Sequence, residues 1–492
     1  MSDGRTSGIV DRVTESRLWK SVFRHGYPVT DLDRMATMFT NFFLHLLPAK
    51  VHPNSLRLTY TWALGMVTLY LTAILFVTGF LLMFFYIPAT EWAYHNMKDL
   101  QFAVSFGLLL RNMHRWAAHG MVALVFLHMC RVFYTASYRP PREFNWILGV
   151  LLWLLTLGLS FTGYLLPWDQ LAFWAITVGT SIASYPPWIG ETLRVLMLGG
   201  QQVGQGALLR FYVLHVAILP AVLGLLVAIH FWRVRKDGGL SRPEGAAPAA
   251  VSSPGAEGRF VPGPQKTYAL MEVVQGTTPM VAAQAPEEEV PSWPHLLFRL
   301  LVLFQIVLGV IVVLSIFFDA PLEELANPTH PPNPAKAPWY FLGLQELVSY
   351  SALVGGVVVP GLLVLGLMSI PYIDRMGEGE GVWFTSKQGK RIALWSFLGT
   401  IPFTLGVLYL NALFGLRRFF PEAPQGVVDL LNPATVLLVG IAAFSVLVGW
   451  RTRSRRMAAI ALFSAFLSAY VLLMIIGTFF RGPNWDWVWP WT

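Results

Sequence analysis

Four of the eleven histidines stand inside long apolar runs, and their spacing carries the clearest chemistry in the chain. His114 and His128 are 14 residues apart in one run; His215 and His230 are 15 apart in another. At 100° per residue, 14 helical steps return to within about 40° of the starting direction and 15 steps to within about 60°. Each pair therefore shares one helix face, its members about 21–22 Å apart along the axis. One reversed helix separates the two runs, so they point the same way. His114 can then lie level with His215, and His128 level with His230. Two facing imidazole pairs at two depths are the donor set that two stacked bis-His haems require. A lone intramembrane histidine is more often a hydrogen-bonded core residue or a proton carrier, but two matched pairs favour ligation. His119 fits neither level and reads as a structural or hydrogen-bonding histidine. His25, His45, His52, His95, His295 and His330 fall in loops or near interfaces and have no such pairing.

Other residues keep the same period. Gly65 and Gly79 are 14 apart, as are Gly149 and Gly163. Missing Cβ atoms at two levels would let a flat macrocycle approach the backbone; small-residue helix packing is the plainer explanation for either pair alone. Arg111 lies three residues before His114 and Arg131 three after His128. Both sit near a membrane face, where a guanidinium would pair with haem propionates. Arg115, Arg142, Arg210 and Lys236 are lesser candidates, with snorkelling as the ordinary reading.

The elements that must position these groups follow from composition. Of 492 residues, 55% are hydrophobic and only 13% charged, about half the charge of an ordinary soluble domain. Mean hydropathy is +0.55. The expected fold is all-α and polytopic in a membrane, and soluble classes are excluded. Cys130 is the sole cysteine, so the chain alone holds no disulfide, no Cys-based zinc site, no iron–sulfur cluster and no CxxCH-linked haem. Residues 1–34 are polar, without a signal-peptide pattern, and 35–50 form a short amphipathic run suited to the membrane surface. Nine apolar segments follow, near 58–86, 104–134, 145–166, 207–232, 296–318, 353–373, 391–415, 433–450 and 457–480. Each is long enough to cross about 30 Å of hydrocarbon; the eighth is short, which leaves eight or nine.

Alternating crossings place 26 of the 35 Lys and Arg on the face that holds the N-terminal arm. That face is expected to be cytoplasmic and the C-terminus outside. The net charge of +8 is thus loop charge, and nucleic acid is not an expected partner. The expected organisation is an arm (1–57), a four-helix dihaem unit (58–236), a Pro/Gly/Ala-rich cytoplasmic linker (237–292), and a group of about five helices (293–492).

With these residues in view, the N-terminal half resembles cytochrome b of the cytochrome bc and b6f complexes. The matching stretches are Arg111-Asn-Met-His114-Arg-Trp, His128-Met-Cys-Arg131, Pro141-Arg-Glu, Gly163-Tyr-Leu-Leu-Pro-Trp-Asp-Gln170, and Arg210-Phe-Tyr with His215 and His230. The His215–His230 interval and the Pro167-Trp-Asp-Gln170 run are similar to the b6f branch. Residues 293–415 resemble b6f subunit IV, fused into the same chain. Residues 416–492, with two further helices and a Trp-rich tail, resemble the tails of bacterial quinol:cytochrome c oxidoreductases.

The resemblance implies two haem b, ligated by His114/His215 (outer) and His128/His230 (inner), within the cell membrane of a prokaryote. It implies quinol oxidation at the outer face by a Q-cycle with proton translocation. A Rieske iron–sulfur protein and a c-type cytochrome or equivalent acceptor are the implied partners, in a multisubunit homodimer. Two departures stand out. The family's outer site carries Pro-Glu-Trp-Tyr, where Glu takes a quinol proton; here the aligned run is Ala337-Pro338-Trp339-Tyr340. Trp339 and Tyr340 carry over, and Tyr164 would line the same pocket. Glu346, seven residues past Trp339, is the expected replacement proton carrier, with Asp169 and His330 as rivals. The b6f cysteine that holds an extra haem aligns with Ala63, so no thioether-linked haem is expected. The inner quinone site is poorly marked. Arg235, Lys236 and Asp237 are candidate proton-uptake groups, and solvated charge is the plainer reading. Two other classes stay open: a haem b anchor of a dehydrogenase or hydrogenase, and a haem-free transporter.

Overall fold

The computed structural model describes residues 9–22, 28, 30–41, 44–237, 239–241, 290–374 and 379–491. Most of the expected linker, 242–289, lies outside the described residues. Among those described, nine helices are long and apolar enough to cross a membrane. They are α1 (Leu64–Met83), α2 (Gly107–Tyr134), α3 (Glu143–Tyr164), α4 (Gln205–Lys236), α5 (Ser292–Phe317), α6 (Val354–Ile373), α7 (Lys387–Phe419), α8 (Pro433–Thr452) and α9 (Arg455–Phe479). The all-α expectation and its nine segments hold. In a bilayer each backbone polar group needs a partner inside the segment. Four hydroxyls in α1 and α3 follow the same rule: Thr72, Thr78, Thr156 and Thr162 each donate to the carbonyl four residues back.

The chain divides into two compact units, Met1–Arg57 with Pro248–Val302, and Leu58–Ala247 with Leu303–Thr492. In the first, a helix spans Asp31–Thr40, starting earlier than the amphipathic run at 35–50. A capping box sets that start: Asp33 N–H donates to Thr30 Oγ1 and Thr30 N–H to the Asp33 carboxylate. Lys50–Val51 pairs antiparallel with Val290–Pro291, which fastens the arm to the beginning of α5.

In the second unit α1 lies against α2, and α4 against α3. The helix of α4 contains a π turn at Leu214–Ile218, where the Leu219 N–H reaches back five residues to the Leu214 carbonyl. Pro220 has no N–H to offer the carbonyl four residues before it, and the wide turn re-registers the helix there. A π turn absorbs one extra residue. The 15-step interval from His215 to His230 thereby matches the 14-step interval of α2. The same device recurs at Val354–Val358 ahead of Pro360 in α6.

The last helix is not peripheral. α9 packs against α7, α8 and the short helix Trp339–Tyr350. Close approach uses small residues: a Cβ at Gly343 would stand 3.1 Å from the Tyr470 carbonyl, and one at Gly477 3.2 Å from Leu342. At the other end of α9, Arg456 joins a buried network. Asp374 takes bonds from Arg139 at 2.9 Å and from the Tyr138 hydroxyl at 2.5 Å. Arg456 bonds Tyr138 and the Phe133 carbonyl. The cluster ties the α2–α3 connection to the end of α6 and the start of α9.

Candidate functional site

The first histidine pair stands ring to ring. His114 and His215 face each other with ring centroids 6.1 Å apart. Two imidazole nitrogens, each about 2 Å from one shared ion, place ring centroids about 6 Å apart. The tautomers fit as well. Thr78 spends its hydroxyl proton on the Ile74 carbonyl, so its bond with His114 Nδ1 at 2.9 Å makes that nitrogen the donor. His215 Nδ1 lies 3.0 Å from the Leu159 carbonyl, which can only accept. Both rings therefore present an Nε2 lone pair to the space between them. His128 and His230 are electrostatic neighbours at the second level. Their Nδ1 atoms are buried without an aligned hydrogen bond, that of His230 lying near the Asn145 backbone.

The four periodic glycines each abut one histidine. A Cβ at Gly79 would stand 3.1 Å from the His114 ring, one at Gly65 3.1 Å from His128, and one at Gly149 4.0 Å from His230. At Gly163 it would collide with the His215 ring. The absent Cβ atoms at these glycines leave room for the histidine rings, so the glycines set where each imidazole stands. No cluster of three or more His, Cys, Asp or Glu able to hold a metal occurs among the described residues. Pairs alone leave the other ligands to a macrocycle, and the donor set fits haem.

The two arginines differ. Arg131 is buried, with Nε and Nη2 lacking any partner and its guanidinium over the Tyr60 ring; it is placed to receive a carboxylate. Arg111 donates to the Ala320 and Pro321 carbonyls at 2.8 and 2.6 Å. With Asn112 and Trp116, which bond Ser315 and Phe318, it holds the segment after α5.

A cavity of about 360 Å³ is lined in part by the first histidine pair. Its wall includes His114, His215, Gly79, Gly163, Arg111 and Arg115, and also Tyr164, Asp169, Glu323 and Tyr340. Asp169 caps the helix Gln170–Ile182 through Ala172 N–H and accepts a second bond from Glu323 N–H. Burial pushes its carboxyl above the ordinary carboxylate range, against the pull of those N–H groups and of Arg111 and Arg115. Burial and the neighbouring Asp169 also raise Glu323. Tyr340 is held by Ser160 at its hydroxyl and by Tyr470 at its carbonyl.

Glu346 does not join them. It is fully buried and ion-paired with Arg481, at 3.0 Å through Nε and 2.5 Å through Nη2. Tyr350 and Trp485 donate to it at 2.8 Å each. The carboxylate is thus held by four donors that tie the tail to the helix Trp339–Tyr350, and it is absent from the cavity wall where a proton carrier was expected. His330 is exposed, and its carbonyl serves Gln170. Glu323, on the cavity wall, carries no signal in the sequence, whereas His119 is the hydrogen-bonding histidine that its position suggests. His119 lines the same cavity and accepts the Trp339 indole N–H at 2.7 Å. Its five-residue offset from His114 turns it about 140° away from the ligand face, toward Trp339.

Residues 49–238 match the family described as Cytochrome b/b6/petB. Over 189 residues the chain is 47% identical to cytochrome b6 of Heliobacterium modesticaldum, covering 38% of this chain and 88% of that protein. The chain belongs to the cytochrome b/b6 family. The cytochrome b region is also 41% identical, over 195 residues, to the menaquinol:cytochrome c reductase cytochrome b subunit of Bacillus subtilis, covering 39% of this chain and 87% of that one. A solved hyperthermophilic respiratory Complex III chain shares the fold along 96% of this chain and 99% of its own, with a TM-score of 0.58 at 23% identity. A membrane cytochrome b carrying haem b and serving electron transport displaces the transporter and dehydrogenase-anchor readings.

Proposed function

We propose that the chain is the dihaem cytochrome b subunit of a quinol:cytochrome c oxidoreductase, with His114/His215 and His128/His230 as haem ligands. One observation carries this reading: the first histidine pair and a set of buried proton-handling groups share the wall of one cavity. The relatives include a menaquinol:cytochrome c reductase subunit, which makes a menaquinol the substrate to test. Bound between the histidine pairs, haem supplies one-electron transfer between the membrane faces, one branch of a Q-cycle whose other branch is a Rieske iron–sulfur protein.

The chain's own residues handle the proton. A quinol hydroxyl within hydrogen-bond reach of Asp169 gives its proton to the carboxylate; the quinol O–H bond breaks, the carboxylic acid forms, and the quinol is left anionic. Glu323, exposed at the rim, relays the proton to water. Tyr164 and Tyr340 shape the pocket. Arg131 holds a propionate at the second level, and Arg115, whose buried Nε lacks a partner, is better placed than Arg111 at the first. Ala63 precedes α1 where a b6f chain would bear its haem-linking cysteine, and no thioether-linked haem is proposed. The complex lies in a prokaryotic cell membrane as a homodimer, with the cavity facing outward. The test is purification with native partners. A short-chain menaquinol should reduce a c-type cytochrome, and a Rieske protein should co-purify. A haem-replete preparation that does not oxidise quinol would remove the proposal.

A further inference from the structure

We infer that His119 is a quinol-binding residue of the cavity, donating an N–H from Nε2 to a quinol oxygen, with Trp339 fixing the tautomer that makes it a donor. The inference rests on the quinol-oxidising reading above. It begins from a bond with only one polarity. The Trp339 indole nitrogen is a donor without acceptor capacity, and its bond ends on His119 Nδ1 at 2.7 Å. The Nδ1 position must therefore carry the lone pair, and a neutral His119 keeps its proton on Nε2.

The surroundings direct that proton. His119 lines the cavity and Trp339 does not, so the ring edge turned from the indole is the one that meets the cavity. None of the hydrogen bonds of the described residues uses Nε2. The ring is held at its Nδ1 edge by the near-coplanar Trp339 indole, centroids 6.4 Å apart, and meets Tyr340 in a T-shaped contact at 6.3 Å. Trp116 lies 5.6 Å away. A rigid, correctly protonated donor opening on an otherwise mainly apolar cavity is how a small-molecule site fixes orientation.

The chemistry follows from the missing Glu of the Ala337-Pro338-Trp339-Tyr340 run. His119 cannot replace that group as a base, because Nδ1 is occupied by the indole and Nε2 is already protonated. It can do the complementary task. A quinol oxygen that has lost its proton to a carboxylate gains from a fixed donor aimed at it, and a quinone carbonyl accepts the same bond. His119 is thus a positioning group for substrate and a stabiliser of the deprotonated oxygen.

The test uses the intact complex and a short-chain menaquinol. His119→Phe and His119→Met both delete the N–H while differing in shape; His119→Gln restores an N–H donor. The inference expects both haem signals to persist in every variant and kcat/KM to fall about tenfold in Phe and Met, the size of one lost hydrogen bond. Gln should recover most of it. Trp339→Phe should give a smaller fall, because His119 can then adopt either tautomer, and adding it to His119→Phe should cost nothing more. Unchanged kcat/KM in either haem-replete donor-less variant, or no recovery in Gln, overturns the inference. Failure of the unaltered complex to oxidise menaquinol would instead overturn the functional reading on which it rests.

Discussion

Residue by residue, the site works through groups whose freedom has been removed. Gly163 leaves no room for a Cβ beside His215, whereas Gly149 stands 4.0 Å from His230, an ordinary contact. Gly163→Ala should therefore displace its histidine, at a cost of about 1–3 kcal/mol, and remove one haem signal. Gly149→Ala should keep both, and haem content per chain decides. Asp169 gives a prediction with a sign. Its carboxyl is raised by burial and must be ionised to take a proton. Quinol oxidation should fall as pH drops through a value above the ordinary carboxylate range. Asp169→Asn should lose that acidic limb together with most of the rate, and a pH profile of kcat/KM checks it. The approach of His114 to His215 was legible in the sequence because helical spacing maps directly onto depth and direction. The partners of Glu346 were not legible, because spacing gives a helix face but not what lies opposite. Arg481 is 135 residues away, and only packing of the last helix brings it to the carboxylate.

At the scale of elements, the segment Trp339–Tyr350 owes its position to the C-terminal helices. Tyr470 bonds the Tyr340 carbonyl at 2.6 Å and Lys336 bonds the Thr478 carbonyl at 2.9 Å, while Arg481 seals Glu346. Glu346→Gln should leave Arg481 a buried cation without its counter-charge. Removing one partner of such a pair costs about 3–5 kcal/mol, so the variant should lower the thermal midpoint of the complex. In the fraction that remains assembled, the pH profile of quinol oxidation should be unchanged; an altered profile would return Glu346 to the proton path. Asp374→Asn should destabilise similarly, since Arg139 and Arg456 both converge on that carboxylate. The nine spans could be read from hydropathy alone because bilayer thickness sets their length. The π turn in α4 could not, because a wide turn depends on which carbonyls Pro220 leaves without a donor.

For the whole molecule, the central claim is that α2 and α4 present imidazoles at two levels, each level holding one haem b. The family match covers residues 49–238, and those residues contain all four proposed ligands; the cavity wall draws further groups from beyond α5. The most direct measurement is haem stoichiometry with single-ligand variants. Pyridine haemochrome analysis of the purified complex should give two haem b per chain, extractable by acid–acetone. His215→Leu and His230→Leu should each remove one of two distinct reduced-minus-oxidised α-band components, and not the same one. A colourless preparation, a single haem per chain, or two components surviving either substitution would contradict the account.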